Sequence, residues 1–482
     1  RVMPGATLTL NRSDAALVMN NSIVVDGVVS KTGPGTVTLA GNISGNGAPS
    51  ISTGTLILSG TNTYGAVTNI GAAGILAVGS DSALGTNNVR LNTAGATLTA
   101  AGSATRTISN LIDVAVSPTN FGVPGSGDLI FSGTFATGNG AKVMNINNTT
   151  TTVTGIVTGG PSANLVTKAG TGTLVLANPG NTFVRPITIN AGTLQIASEG
   201  NLGVAPAAAT ANHLAFTGGT LRTTSNMSID DATRGITLGT GGGTFEVDAS
   251  TTLSVVNKIT GAAGDLRKTG AGILSLEGAN DYTGTTTVSA GTLLVQGSLS
   301  GSNVAVNGGT LGGAGSITTG ATGLTLNAGA RLTPGAPATA GILAVNAGGS
   351  ILDLTAAVTP TASGALLFDL DTPALSDKVL LSSGSLTIGT GVLGFDDFAF
   401  NTFAGIAQNN VYVLFDGVAP INGQLASNVT GSIGAFTGQL QLADGGNDLV
   451  LVVVPEPSAA ALLMIGTVGF FGKRRRQPRL AV

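Results

Sequence analysis

Residues Lys268–Gln296 read KTGAGILSLEGANDYTGTTTVSAGTLLVQ. Two short alternating runs lie within them. Leu274 and Leu276 point one way and Ser275 the other; Leu293 and Val295 oppose Thr292 and Leu294. Period-two alternation between glycines marks a half-buried strand. Leu274 and Leu293 are 19 residues apart, a spacing that predicts one coil of a β-solenoid.

The same pattern recurs. Lys168–Ile196 reads KAGTGTLVLANPGNTFVRPITINAGTLQI, and Gly54–Val78 reads GTLILSGTNTYGAVTNIGAAGILAV. Only three tyrosines occur in the chain, yet Tyr64 and Tyr282 both fall six residues after the second leucine of their repeat. Phe183 takes that place in the remaining copy, one residue later because of an insertion around Pro179. The repeat positions are Gly54, Leu56, Leu58, Asn62 and Tyr64 in the first copy. In the second they are Gly172, Leu174, Leu176, Asn181, Gly192 and Leu194, and in the third Gly272, Leu274, Leu276, Asn280, Tyr282, Gly291 and Leu293.

The pattern K-x-G-x-G-x-L-x-L, then N-x-Tyr/Phe, then G-T-L-x-V resembles the autotransporter-associated β-strand repeat. That family occurs in exported bacterial surface proteins with β-helical passengers. The resemblance implies an all-β chain folded as a right-handed parallel β-helix. Looser copies at Lys31–Gly41, Gly308–Leu311 and Gly341–Val345 extend it. At about 20–25 residues per coil, residues 1–346 would make about fifteen coils, a rod of order 70 Å.

Composition agrees with a fold that turns constantly. There are 75 glycines, and only 9% of residues are charged; glycine supplies the positive-φ positions of tight turns. The 42% apolar content argues against disorder. No cysteine is present, which excludes disulfides and thiolate metal sites. The net charge of −3 includes five positive charges from Lys473–Arg476 and Arg479, leaving −8 for the first 472 residues. Nothing resembles a basic nucleic-acid surface. The chain opens at Arg1 without a charged-then-apolar leader, from which an export signal is expected to have been removed or left out.

Residues 86–165 read as divergent coils with longer loops. Between Ser350 and Val450 the chain has nine aspartates, no glutamate and one basic residue, Lys378. Residues 347–453 are therefore expected to form an acidic β cap on the solenoid, with a separate β-sandwich as the alternative.

Residues 454–482 change character. Pro455, Glu456 and Pro457 stop the last strand. An apolar run follows, then Lys473, Arg474, Arg475 and Arg476. A short hydrophobic helix over residues 458–472 is expected to enter the inner membrane transiently, with the basic cluster as its stop. The order closely resembles the PEP-CTERM sorting signal. That resemblance implies a transient partner, exosortase, which processes the chain near the Pro-Glu-Pro motif, and an association with exopolysaccharide.

Catalytic, metal and cofactor sites are not expected. His213 is the only histidine and reads as a loop residue. Asp369/Asp371 and Asp396/Asp397 could pair for glycoside hydrolysis, but read more simply as solvated turn or strand-edge residues. Asp444–Asp448, DGGND, echoes one calcium-binding nonapeptide; a hairpin turn explains it too. Asn62, Asn181 and Asn280 could form an amide ladder across stacked coils. Thr36/Thr38 and Thr285–Thr287 could present a flat hydroxyl array. The reading is a non-enzymatic, exported, cell-surface or matrix protein of structural or adhesive kind. The alternatives are a polysaccharide- or ice-binding protein using a threonine face, and a carbohydrate-active β-helix enzyme.

Overall fold

The computed structural model describes residues 1–13, 16–71, 73–160, 165–336, 339–358 and 364–454. Short strands follow one another almost without interruption, and the strand ladders run parallel from Thr7 to Leu425. The chain is an all-β, right-handed parallel β-solenoid. Among the described residues only three short 3-10 turns break the strands, and no helix is long and apolar enough to cross a membrane.

Most coils contribute three or more strands, as in Val89–Leu91, Thr97–Ala100 and Arg106–Ile108. Like residues stack at the same level of successive coils. Val37, Leu56, Leu76, Leu98, Phe121 and Ile146 form one inward column. Leu253, Leu274, Leu293, Leu311, Leu332 and Leu366 form another. The 19-residue interval is thus one coil, with Leu274 directly beneath Leu293. No single coil can enclose its inward row; stacking buries it, and one apolar cluster runs from Val2 to Val453.

The coil length ranges more widely than 20–25. Thr286 pairs with Val304, 18 residues on, and Ser316 with Ala344, 28 residues on. Corner loops absorb most of the difference, and a few pairs, such as Thr210–Phe216 with Arg234–Leu238, also shift register. On the outer face, Ser275 and Leu294 are also covered.

The strand Ile342–Asp353 crosses residues 346–347 without a break and pairs parallel with the 16-residue strand Lys378–Leu393. The chain then reverses: Val411–Asp416, Phe436–Ala443 and Asp448–Val454 pair antiparallel. This meander ends the parallel ladder.

Candidate functional site

The motif lysines point inward. Lys31 stacks between Leu10 and Ile51, Lys168 between Met144 and Ile189, and Lys268 between Phe245 and Val288. Among the described residues no carboxylate forms an ion pair with them. Each ammonium instead donates to three backbone carbonyls: the residue after it, the glycine after that, and one residue of the next coil. For Lys268 these are Thr269, Gly270 and Ala290, at 2.7, 2.8 and 3.2 Å. Lys168 reaches Ala169, Gly170 and Ala191, and Lys31 reaches Thr32, Gly33 and Thr53. Burial lowers all three from the usual lysine range, Lys168 and Lys268 to about 8. The next coil passes the ammonium at Gly54, Gly192 and Gly291, each with φ between +62° and +68°. A Cβ there would lie 2.7–2.8 Å from Nζ, so glycine is required twice over.

The recurring asparagines are buried and do a related job. The N–H of Ile43 in the preceding coil donates to Asn62 Oδ1 at 2.7 Å, and Asn62 Nδ2 donates to Ala83 in the following one at 2.5 Å. Asn181 links Val157 to Asn201, and Asn280 links Ile259 to Ser298, in the same way. The expected amide ladder is absent at these positions. Each asparagine bridges backbone groups of the coils on either side, supplying the donor and acceptor that the ladder lacks there.

His213 is not a loop residue. It lies in the strand Thr210–Phe216, buried, with Nδ1 3.1 Å from the Arg234 guanidinium. Burial and that charge push it down to about 4, so the ring is neutral. Arg234 also donates to Glu199 at 3.0 Å and to the Gly203 carbonyl at 2.9 Å. A second buried guanidinium, Arg185, donates to the carbonyls of Gly138, Gly140 and Gly160. Both arginines span several coils and act as ties.

The aspartate pairs also depart from expectation. Asp369 and Asp397 are buried, not solvated. Asp369 accepts from Asn401 Nδ2 at 2.7 Å, and Asp371 from the Gly405 N–H at 2.7 Å. Asp397 accepts from the Gly394 N–H at 2.8 Å, and Asp396 from Asn428. Each carboxylate turns to its own partner, Asn401 in the neighbouring strand for Asp369 and loop or turn groups for the others, so neither pair is arranged as a joint acid and base. Asp377, which the sequence did not single out, accepts from the N–H groups of Gly341 and Asp369 at 2.7 and 2.8 Å. Burial raises it to about 7, and Asp397 to about 6. Asp444–Asn447 forms the turn of the hairpin closed by Ala443 and Asp448. Among the described residues no three acidic or histidine side chains gather as a metal site.

A hydroxyl rank exists, but elsewhere than expected. Thr286 is buried, and Thr36 is followed in register by Thr55 and then Ile75. Thr150, Thr173, Thr193, Thr220 and Thr244 instead stand in register on five successive coils, each half-exposed. Their hydroxyls make no hydrogen bond among the described residues. Four of them precede an inward Leu or Phe and follow a glycine, as in Gly192-Thr193-Leu194; that tripeptide was the available signal. Beside them run Val175, Gln195, Arg222 and Glu246.

Pro455, Glu456, Pro457 and the cluster Lys473, Arg474, Arg475 and Arg476 lie outside the described residues, as does the expected helix.

Residues 52–78, 166–196 and 266–295 match the family pattern of the passenger-associated-transport-repeat. The chain is therefore a repeat protein carrying this autotransporter-associated element. It is 30% identical over 274 residues to the adhesin BmaC autotransporter of Brucella suis biovar 1 (strain 1330), covering 54% of this chain and 8% of that protein. The crystal structure of the Haemophilus influenzae Hap adhesin aligns with 93% of this chain and 60% of its own, at 12% identity and a TM-score of 0.29.

Proposed function

We propose that the chain is an exported surface scaffold of adhesive kind, with no catalytic role. One observation carries this reading: the three stretches that match a passenger repeat are built as coils of one continuous solenoid. The similarity to an adhesin supports it. The carboxylates and the histidine that a hydrolase reading would need are engaged in loop and coil ties. The reading is tested by labelling intact cells with antibody against residues 1–454. Protein found only inside the cell would overturn it.

The tail is proposed as a sorting address, on its sequence alone. In this reading Pro455–Pro457 is presented to an exosortase, residues 458–472 hold the chain at the inner membrane, and Lys473–Arg476 prevents passage. The released body then associates with exopolysaccharide. Mass spectrometry of the secreted C-terminus, with Glu456→Ala as the blocked variant, tests this. Mature protein still ending in RRRQPRLAV would refute it.

The five free hydroxyls at Thr150–Thr244 favour a second, narrower reading. Spaced at the coil repeat of about 4.8 Å, they could bind a regular partner, a neutral polysaccharide or ice. Thermal hysteresis that vanishes in Thr193→Val/Thr220→Val would support ice; none in the wild type would exclude it.

A further inference from the structure

A cleft of about 330 Å³ opens on the outer side of the later coils. Three residues stand in register along it on successive coils: Thr292, Thr310 and Arg331. Its floor is glycine, from Gly308, Gly309 and Gly329. At Gly309 a Cβ would meet the Gly291 carbonyl at 2.7 Å, and Gly329 has a φ of +79°, so both need glycine. Gly308 is different. Its backbone does not require glycine, and a Cβ would find its nearest neighbour at 3.4 Å. Packing leaves room for a side chain there, and the sequence leaves the floor clear.

Arg331 is exposed and has no carboxylate or hydrogen-bond partner for its guanidinium among the described residues. Three other surface arginines are neutralised, Arg1 by Asp26, Arg90 by Asp113 and Arg222 by Asp248, and the exposed Arg267 donates to the Ser289 hydroxyl. The hydroxyls of Thr292 and Thr310 are likewise free of side-chain hydrogen bonds among the described residues. A cleft of similar size, about 310 Å³, lies near the start of the solenoid between Gly27, Gly47 and Ala66. No charged side chain lines it. Size alone therefore does not distinguish the Arg331 cleft; its cation and two hydroxyls do.

We propose that this cleft binds a carboxylate-bearing sugar unit of an acidic polysaccharide. A guanidinium presents parallel N–H donors that match the two oxygens of a carboxylate. The hydroxyls, one coil apart at about 4.8 Å, reach successive groups of an extended chain lying across the glycine floor. No aromatic side chain lines the cleft, so charge and hydrogen bonds, not ring stacking, hold the ligand. This deepens the surface reading above and rests on it only for where the glycan is met.

The test is calorimetric titration of the purified full-length protein with hexagalacturonate, with its carboxyl-reduced counterpart and a sulfated oligosaccharide as comparisons. The expected result is binding of hexagalacturonate alone, weakened by salt. Arg331→Gln should weaken it about tenfold or more. Gly308→Val, which fills the floor without touching the cation, should weaken it too, and Ser50→Val in the uncharged cleft should not. Circular dichroism verifies the fold of each variant. The proposal is overturned if hexagalacturonate does not bind, if Arg331→Gln and Gly308→Val bind like wild type, or if the reduced or sulfated oligomer binds equally well. Export is not part of this readout, so a protein that binds but stays inside the cell would sink the surface reading and leave the cleft standing.

Discussion

The hydroxyl of Tyr282 lies 2.7 Å from that of Thr286, both buried, and Tyr64 meets Thr68 at the same distance and the same four-residue offset. In the remaining copy Phe183 replaces the tyrosine, and the residue four on is Ile187. The pair changes as a unit, polar with polar and apolar with apolar. A buried hydroxyl without a partner costs more than its removal. Ile187→Thr alone should therefore destabilise the protein by about 1–3 kcal/mol, and adding Phe183→Tyr should restore part of the loss. A double-mutant cycle from denaturant midpoints measures the coupling; a value of zero would show that the pair is not a unit.

Lys268→Met keeps the stem but removes the ammonium, stranding the carbonyls of Thr269, Gly270 and Ala290. The loss is expected at about 1–3 kcal/mol at pH 7. A second signature is pH dependence. The lysine sits near 8 in the folded chain against an ordinary value of 10.5, so a desolvation cost of charging it is superimposed on its hydrogen bonds: stability is highest above 10.5 and falls as pH drops towards 8. Thermal melts of the wild type should therefore rise between pH 8 and 10, with a shallower rise in the variant. Identical slopes would exclude this role.

Asp377 titrates in the opposite sense. Its carboxyl is raised from 3.8 to about 7, so the associated stability is full below 3.8 and lost as pH climbs through 7. Unfolding of the C-terminal region, followed by hydrogen exchange at Gly341 and Asp369, should accelerate between about pH 4 and 7. Asp377→Asn should flatten that profile. It should also destabilise, because an amide can accept from only one of the two N–H groups it faces.

Leu276→Asp tests the core. Leu276 stacks between Val255 and Val295 and is fully buried. An unpaired carboxylate there should cost more than about 4 kcal/mol. Limited proteolysis should show rapid cleavage around residues 253–311; wild-type resistance would mean the stack tolerates a charge.

Much of the fold was legible because a coil is a local event. The Leu274–Leu293 interval reports one circuit of chain, and alternation reports which side faces in. What was hidden depends on neighbours one coil away. His213 looks polar and loop-like in ATANHLAF, but Arg234, 21 residues on, draws it inside. Asp369 looks solvated because its partner Asn401, 32 residues on, meets it only after the chain turns; Asp397 is the local exception, held to the Gly394 N–H by a short 3-10 turn that the sequence does not mark. The motif lysine was visible in the sequence, yet its inward direction follows from Phe245 below and Val288 above. The threonine rank escaped notice because unequal loops disguise its register. Thr193 and Thr220 are 27 residues apart, while Thr173 and Thr193 are 20 apart.

The carbonyl-held lysines bear on how the rod responds to brine. An ammonium satisfied by backbone dipoles has no counter-ion from which it can be shielded, and buried interactions are little screened in any case. Lys31, Lys168 and Lys268 should therefore pin their coils equally well in dilute buffer and in concentrated salt. An exposed guanidinium at Arg331 has no such immunity. Salt would then elute a bound anion from an intact solenoid, separating release from unfolding.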